Sequence, residues 1–136
     1  MRILLVDPDS SLVDILRHRL RTLGYEVDTA FSGPQARSKM QGRCADILIC
    51  AQGLRDAAGK ELCEAIRGDA RTRGAYVILM TDADGGVEER RDFGAADDCL
   101  AKPFGMDDLL GAIFSAERLL ATYRAHGAMD ACGLAA

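Results

Sequence analysis

The stretch ADILICAQGLRDAAGK, residues 45–60, decides how the chain reads. Ile47, Leu48, Ile49 and Cys50 form a continuous apolar run, the pattern of a strand buried on both faces. Ala51 is expected as the first residue of the loop that follows. A helix is expected around 59–67, with Leu62, Cys63 and Ile66 facing inward. The unit is therefore strand, loop, helix, and the same unit recurs along the chain.

"RILLVD" (2–7) reads as another strand buried on both faces. A helical pattern follows from about Asp9 to Leu23, with Leu12, Ile15, Leu16, Leu20 and Leu23 on one face and Gly24 as its C-terminal cap. "YEVDTA" (25–30) alternates as a second strand. Ser32 caps a helix over 33–41, with Pro34 in its first turn. "AYVILMT" (75–81) is the fourth strand. A weakly anchored helix is expected near 86–95, and "DCLA" (98–101) is a short fifth strand. The last helix is expected from Met106 to Tyr123, with Leu109, Leu110, Ile113, Phe114 and Leu120 as its apolar side. Five strands alternating with helices predict an α/β three-layer sandwich around a parallel sheet. Residues 1–124 make one domain; 125–136, small and Gly/Ala-rich, read as a flexible tail or the start of a linker.

The bulk numbers agree with one domain: 136 residues, 49% of them hydrophobic. A net charge of −4 and a pI near 5.1 give no footprint for nucleic acid. No apolar run is long enough to span a bilayer and no signal peptide is visible, so a cytoplasmic protein without membrane contact is expected. Cys44, Cys50, Cys63, Cys99 and Cys132 are odd in number and widely spaced, which favours reduced thiols over a zinc site or disulfide framework. His18 and His126 are isolated, and His18 is expected at the surface.

In an open parallel sheet, ligands meet the chain at the carboxyl ends of the strands. Those ends carry Asp7-Pro8-Asp9, Ala51-Gln52, Thr81-Asp82 and Lys102-Pro103-Phe104. With "RILLVDPDS", "ADILICAQGLRDAAG" and "DDCLAKPF" in this order and spacing, residues 2–124 resemble a response-regulator receiver domain of the flavodoxin-like fold, whose strand order is 2-1-3-4-5. The resemblance implies a phosphoacceptor aspartate ending strand three and an acidic pair ending strand one that holds Mg²⁺. It also implies a Thr or Ser ending strand four, a lysine after strand five, and an aromatic switch on strand five.

Carried over by residue, Asp7 matches the first acid, and Thr81 and Lys102 match the threonine and the lysine. Pro8 falls on the second acid, Ala51 on the phosphoacceptor and Cys99 on the aromatic switch. Arg55 stands where the family often has proline, and Asp82 where it usually has a small residue. A methyl group cannot be a nucleophile. The pattern is that of a degenerate phosphorylation pocket, a pseudo-receiver with no catalytic residue and no expected cofactor or metal.

Several residues keep two readings. Asp9 either replaces the carboxylate that Pro8 lacks, making Asp7 and Asp9 weak metal candidates, or caps the first helix, the favoured role. Lys102 either preserves an anion site or pairs with Asp7 as a structural salt bridge, again the favoured role. Thr81 either faces a ligand or satisfies a backbone group at the strand end. The resemblance implies a cis bond before Pro103. Cys50 and Cys99 are read as packing rather than redox groups. The helix near 86–95 is either a solvated face or, with strand five and the last helix, a partner surface whose candidate contacts are Arg90, Arg91, Cys99 and Met106. The side formed by the first and last helices is the alternative surface, which meets histidine-containing partners in the family.

The expected function is a phosphorylation-independent interaction domain of a two-component-type system, not an enzyme. Its partner would be a signalling protein: a histidine kinase, an output domain or an effector, with a homodimer also open. One alternative is the N-terminal regulatory segment of a larger signalling enzyme, such as a diguanylate cyclase or a histidine kinase. Another is an atypical receiver that takes phosphate or metal through Asp9 or another carboxylate such as Asp56, or binds an anion non-covalently. A flavin-binding flavodoxin is rejected, because "DPDSSLVD" is acidic where a phosphate loop would be needed.

Overall fold

The computed structural model describes residues 1–54, 59–81 and 96–125. Five strands, β1 (Arg2–Val6), β2 (Glu26–Ala30), β3 (Ile47–Ala51), β4 (Tyr76–Thr81) and β5 (Asp98–Ala101), form one parallel sheet in the order β2-β1-β3-β4-β5. Among the described residues four helices surround it: α1 (Ser10–Thr22), α2 (Gly33–Gly42), α3 (Gly59–Gly68) and α4 (Met106–Ala125). Five-stranded parallel topology in the order 2-1-3-4-5 is the fold expected from the resemblance. The helix expected near 86–95, residues Arg55, Asp56 and Asp82, and the tail beyond Ala125 lie outside the described residues.

The central strands are buried along almost their whole length, which is why they read as unbroken apolar runs. Ile3, Ile47, Leu48, Ile49, Ile78 and Leu79 are all essentially inaccessible to water. Each such side chain contributes about 1.5–3 kcal/mol relative to exposure. Ala51 is the last residue of β3 rather than the first of a loop, because it still pairs in register with Met80 of β4. That one-residue difference keeps its methyl group inside the sheet, 2% exposed.

The helix boundaries follow their capping residues. Asp9 is the N-cap of α1: its Oδ1 accepts from the Ser11 and Leu12 amides at 3.0 and 3.3 Å. At the other end, Gly24 takes φ +96°, a conformation that glycine tolerates best. There the Gly24 amide bonds Arg21 O and the Tyr25 amide bonds Leu20 O. Ser32 caps α2 by accepting from the Gln35 amide at 3.3 Å. α3 buries Leu62, Cys63 and Ile66 as its sequence pattern predicts.

Two helix faces are rotated from expectation. On α1 the buried stripe is Val13, Leu16 and Leu20, while Ile15 and Leu23 are each 56% exposed. On α4 it is Leu109, Ala112, Ile113, Ala116 and Leu120, while Phe114 is 54% exposed. The buried stripe of α4 includes Ala112 and Ala116, whose small side chains give a weak periodic signal, while Phe114 stays exposed. Tyr25 Oη donates to Glu117, joining the α1–β2 turn to α4. Burial and that carboxylate push the Tyr25 phenol up to about 12.

Candidate functional site

The carboxyl ends of β1, β3, β4 and β5 bring Asp7, Ala51, Thr81 and Lys102 to one edge of the sheet. Strand pairing sets their heights. The Asp7 amide bonds Ala30 O, the Gln52 amide bonds Met80 O, and the Lys102 amide bonds Thr81 O at 2.8 Å.

Asp7 is 2% exposed, and both of its oxygens are engaged. Oδ2 accepts from Lys102 Nζ at 2.6 Å, and Oδ1 accepts from the Asp9 amide at 2.9 Å. The second bond closes an Asx-type turn over Pro8, which has no amide hydrogen of its own to offer. An Asp-Pro pair opening a loop is a turn signal in the sequence, but its use by Asp7 rather than Asp9 was not anticipated. Burial of the carboxylate requires a partner, and Lys102 supplies the charge while keeping 29% of its own side chain exposed. The Lys102–Pro103 peptide bond is cis.

Asp9 is turned away from Asp7, with its Oδ1 spent on the helix amides. The capping geometry, and not a metal-ligand geometry, is what the chain shows. Among the described residues, no three His, Cys, Asp or Glu side chains are grouped to hold a metal ion. Mg²⁺ takes near-octahedral oxygen ligands. Pro8 and Ala51 contribute no side-chain oxygen, and Asp7 is already paired, so the residues present here do not fit that ion.

Thr81 is 1% exposed and its hydroxyl has no hydrogen-bond partner among the described residues. Of its two readings, a bond to a backbone group at the strand end is not seen among the described residues. β4 carries it straight to the site, and no acceptor among the described residues lies in reach. Next to Ala51, Cys50 is fully buried, and burial pushes its thiol well above its ordinary value, with Cys63 and Asp7 adding to the rise. Such a thiol is unreactive, in keeping with a packing role.

The expected partner residues divide. Cys99 lies on a shallow surface with Leu100, Phe104, Asp108 and Ser115, between β5 and α4. Met106 does not share it. It lines an apolar groove on the other side of α4, with His18, Arg19, Leu23 and Leu110. Arg90 and Arg91 lie outside the described residues. No helix among the described residues is long and apolar enough to cross a membrane.

Comparison with known proteins matches residues 3–114 to the response regulator receiver domain. The phosphate regulon transcriptional regulatory protein PhoB of Rhizobium meliloti (strain 1021) is 33% identical over 115 residues, covering 82% of this chain and 50% of that protein. The chain spans about half the length of the curated relatives it matches. Among solved structures, the chemotaxis response regulator CheY4 of Vibrio cholerae superimposes with a TM-score of 0.78 at 26% identity, over 85% of this chain and 97% of that one. The response regulator TrrA of Thermotoga maritima, solved with Mg²⁺ and BeF, gives 0.74 at 29% identity, over 85% and 97%.

Proposed function

This chain belongs to the response regulator receiver domain family of two-component signalling, and on that premise we propose that it is a pseudo-receiver, an interaction domain that works without phosphorylation. One observation carries the reading. The position that resembles the phosphoacceptor is Ala51, a buried methyl group at the end of β3. A methyl group has no lone pair with which to attack a phosphoryl donor. Beside it, Asp7 is already neutralised by Lys102, so the pocket is held by its own ion pair.

In this reading the domain catalyses nothing, and its output is set by what binds it. The partner is a protein: a histidine kinase, an output domain, an effector or a second copy of the chain. A net charge of −4 favours that over nucleic acid. The Cys99 surface between β5 and α4 is the leading contact, and the Met106 groove beside α1 is the alternative. The chain's span of about half its relatives suits the regulatory segment of a longer protein equally well. In that case the output domain, enzymatic or otherwise, lies elsewhere in the whole protein.

The unpaired Thr81 hydroxyl favours a second reading, in which a small anion binds non-covalently beside Lys102. A two-dimensional NMR titration with Mg²⁺, then with beryllofluoride or acetyl phosphate, together with intact mass, tests both. Unchanged mass and unmoved signals at Asp7, Ala51, Thr81 and Lys102 are expected of the pseudo-receiver. Saturable shifts at constant mass establish the anion site instead. A gain of one phosphoryl group overturns both and directs mutagenesis to Asp9 and Asp56.

A further inference from the structure

β2 is an edge strand, and five of its outward backbone groups are already occupied. The Glu26 amide bonds Met1 O and Ala30 O accepts from the Asp7 amide, so Glu26, Asp28 and Ala30 turn their backbone groups toward β1. By alternation, Tyr25, Val27, Thr29 and Phe31 turn theirs outward. Two neighbouring helices, α1 and α2, and Asp28 of β2 itself supply the partners. The Tyr25 amide bonds Leu20 O at 3.1 Å. Val27 O accepts from Arg21 Nη2 at 2.8 Å, and Thr29 O accepts from Lys39 Nζ at 2.5 Å. The Thr29 amide bonds Asp28 Oδ1 at 2.8 Å, and the Phe31 amide bonds Gln35 Oε1 at 2.8 Å.

We infer that the β2 edge is sealed against strand addition by Arg21, Asp28, Gln35 and Lys39, so that neither a second copy of this chain nor an extended peptide can join the sheet there. An open edge strand is a template for pairing with another chain, and charged side chains are the usual means of blunting it. Here the charges do more than repel. Arg21 from α1 and Lys39 from α2 occupy the two carbonyl oxygens that an incoming strand would need. Lys39 also pairs with Asp28 at 2.9 Å, which ties the carbonyl seal to the amide seal. Burial alone would raise the Asp28 carboxyl, but the Lys39 ammonium and the Thr29 amide hold it below its ordinary value. Stability is a poor account of the arrangement. Asp28 is 58% exposed, and exposed ion pairs contribute little. The seal also sharpens the partner question, because it leaves helix faces and the opposite edge of the sheet as the docking surfaces. It stands whether or not the site at Ala51 takes phosphate.

The test is the R21M/K39M variant, which keeps the apolar stems and removes both cations. Sedimentation velocity across a concentration series should show self-association strengthened by about tenfold or more, since a blunted edge has been opened. Hydrogen exchange should show new protection at the Val27 amide, which has no partner among the described residues and which edge pairing would bury. An unchanged association state, or association without protection at Val27, overturns the inference. Should the variant not fold, exchange in the parent chain decides. The Thr29 and Phe31 amides should exchange about tenfold or more slowly than Val27, and equal rates among the three overturn it.

Discussion

Thr72 and Thr81 are the same residue, almost equally buried at 2% and 1% exposure, at opposite ends of the sheet. Thr72 lies near the amino end, and its hydroxyl donates to Ile66 O at 2.8 Å. Its surroundings are similarly complete. Arg67 donates to Arg73 O and Ala75 O at 2.6 Å each and meets Asp97. Asp97 also accepts from the Val77 amide, and Asp46 accepts from the Arg2 amide, both at 2.8 Å. Thr81, at the carboxyl end, has no partner among the described residues. A buried hydroxyl left unpaired costs about 1–3 kcal/mol. The amino end pairs its buried polar groups, whereas the carboxyl end keeps a buried hydroxyl with no partner among the described residues.

The largest effect that could break this comparison comes from the Asp7–Lys102 pair. Lys102→Met leaves a carboxylate with a side chain only 3% exposed facing no cation. Loss of about 3 kcal/mol is expected, the lower end of the range for breaking a buried pair because Lys102 is partly solvated. Urea denaturation measures it, and a loss below 1 kcal/mol would mean that Asp7 is not dependent on its partner. The Asp7→Asn/Lys102→Met double variant should recover more than half of that loss.

Next come the threonines, where the sign is the test. Thr72→Val should destabilise by about 1 kcal/mol, through the lost bond to Ile66 O. Thr81→Val keeps the shape and removes the unpaired hydroxyl, so it should stabilise by about 1 kcal/mol. Destabilisation by both would show that Thr81 finds a partner in solution, and the contrast between the two ends would fail.

Asp9→Ala should cost about 1 kcal/mol through loss of the α1 cap. Asp9→Ser, which restores a capping oxygen, should recover most of it. If Ser fails to rescue, the carboxylate acts at the Asp7 site and not on the helix. The smallest effect is a rate. Burial pushes the Cys63 thiol up to about 11 and also raises the Cys50 thiol well above its ordinary value. At pH 8 both should resist alkylation in the folded chain, while the half-buried Cys44 and Cys99 react. Rapid labelling of Cys50 would show that the Ala51 end of the sheet opens more readily than its packing implies.

Much of the fold was legible because its signals are local. Doubly apolar runs at 3–6, 47–50 and 76–80 can only be buried strands joined by helices. Asp9, Ser32 and Gly24 mark helix ends through groups two to five residues away. The faces of α1 and α4 were less legible. Ile15 and Phe114 have apolar side chains at helical spacing, yet the buried stripes run through Val13 on α1 and through Ala112 and Ala116 on α4. A small residue gives a weak periodic signal and a strong packing one.

The residues at the carboxyl end could be listed from the chain alone, since strand ends in a parallel sheet converge. Their states could not. That Asp7 is taken by Lys102, 95 positions away, and Thr81 by none of the described residues, depends on distances set by strand register. The sealing of β2 was also invisible, because Arg21, Asp28, Gln35 and Lys39 read as ordinary solvated residues. By itself, the sequence determined the alternation of strands and helices, the caps, and the absence of a nucleophile at Ala51, each a property of one residue or one short period. Tertiary structure alone decided which polar groups found partners, because a hydrogen bond depends on tenths of an ångström between segments that the chain's order does not place.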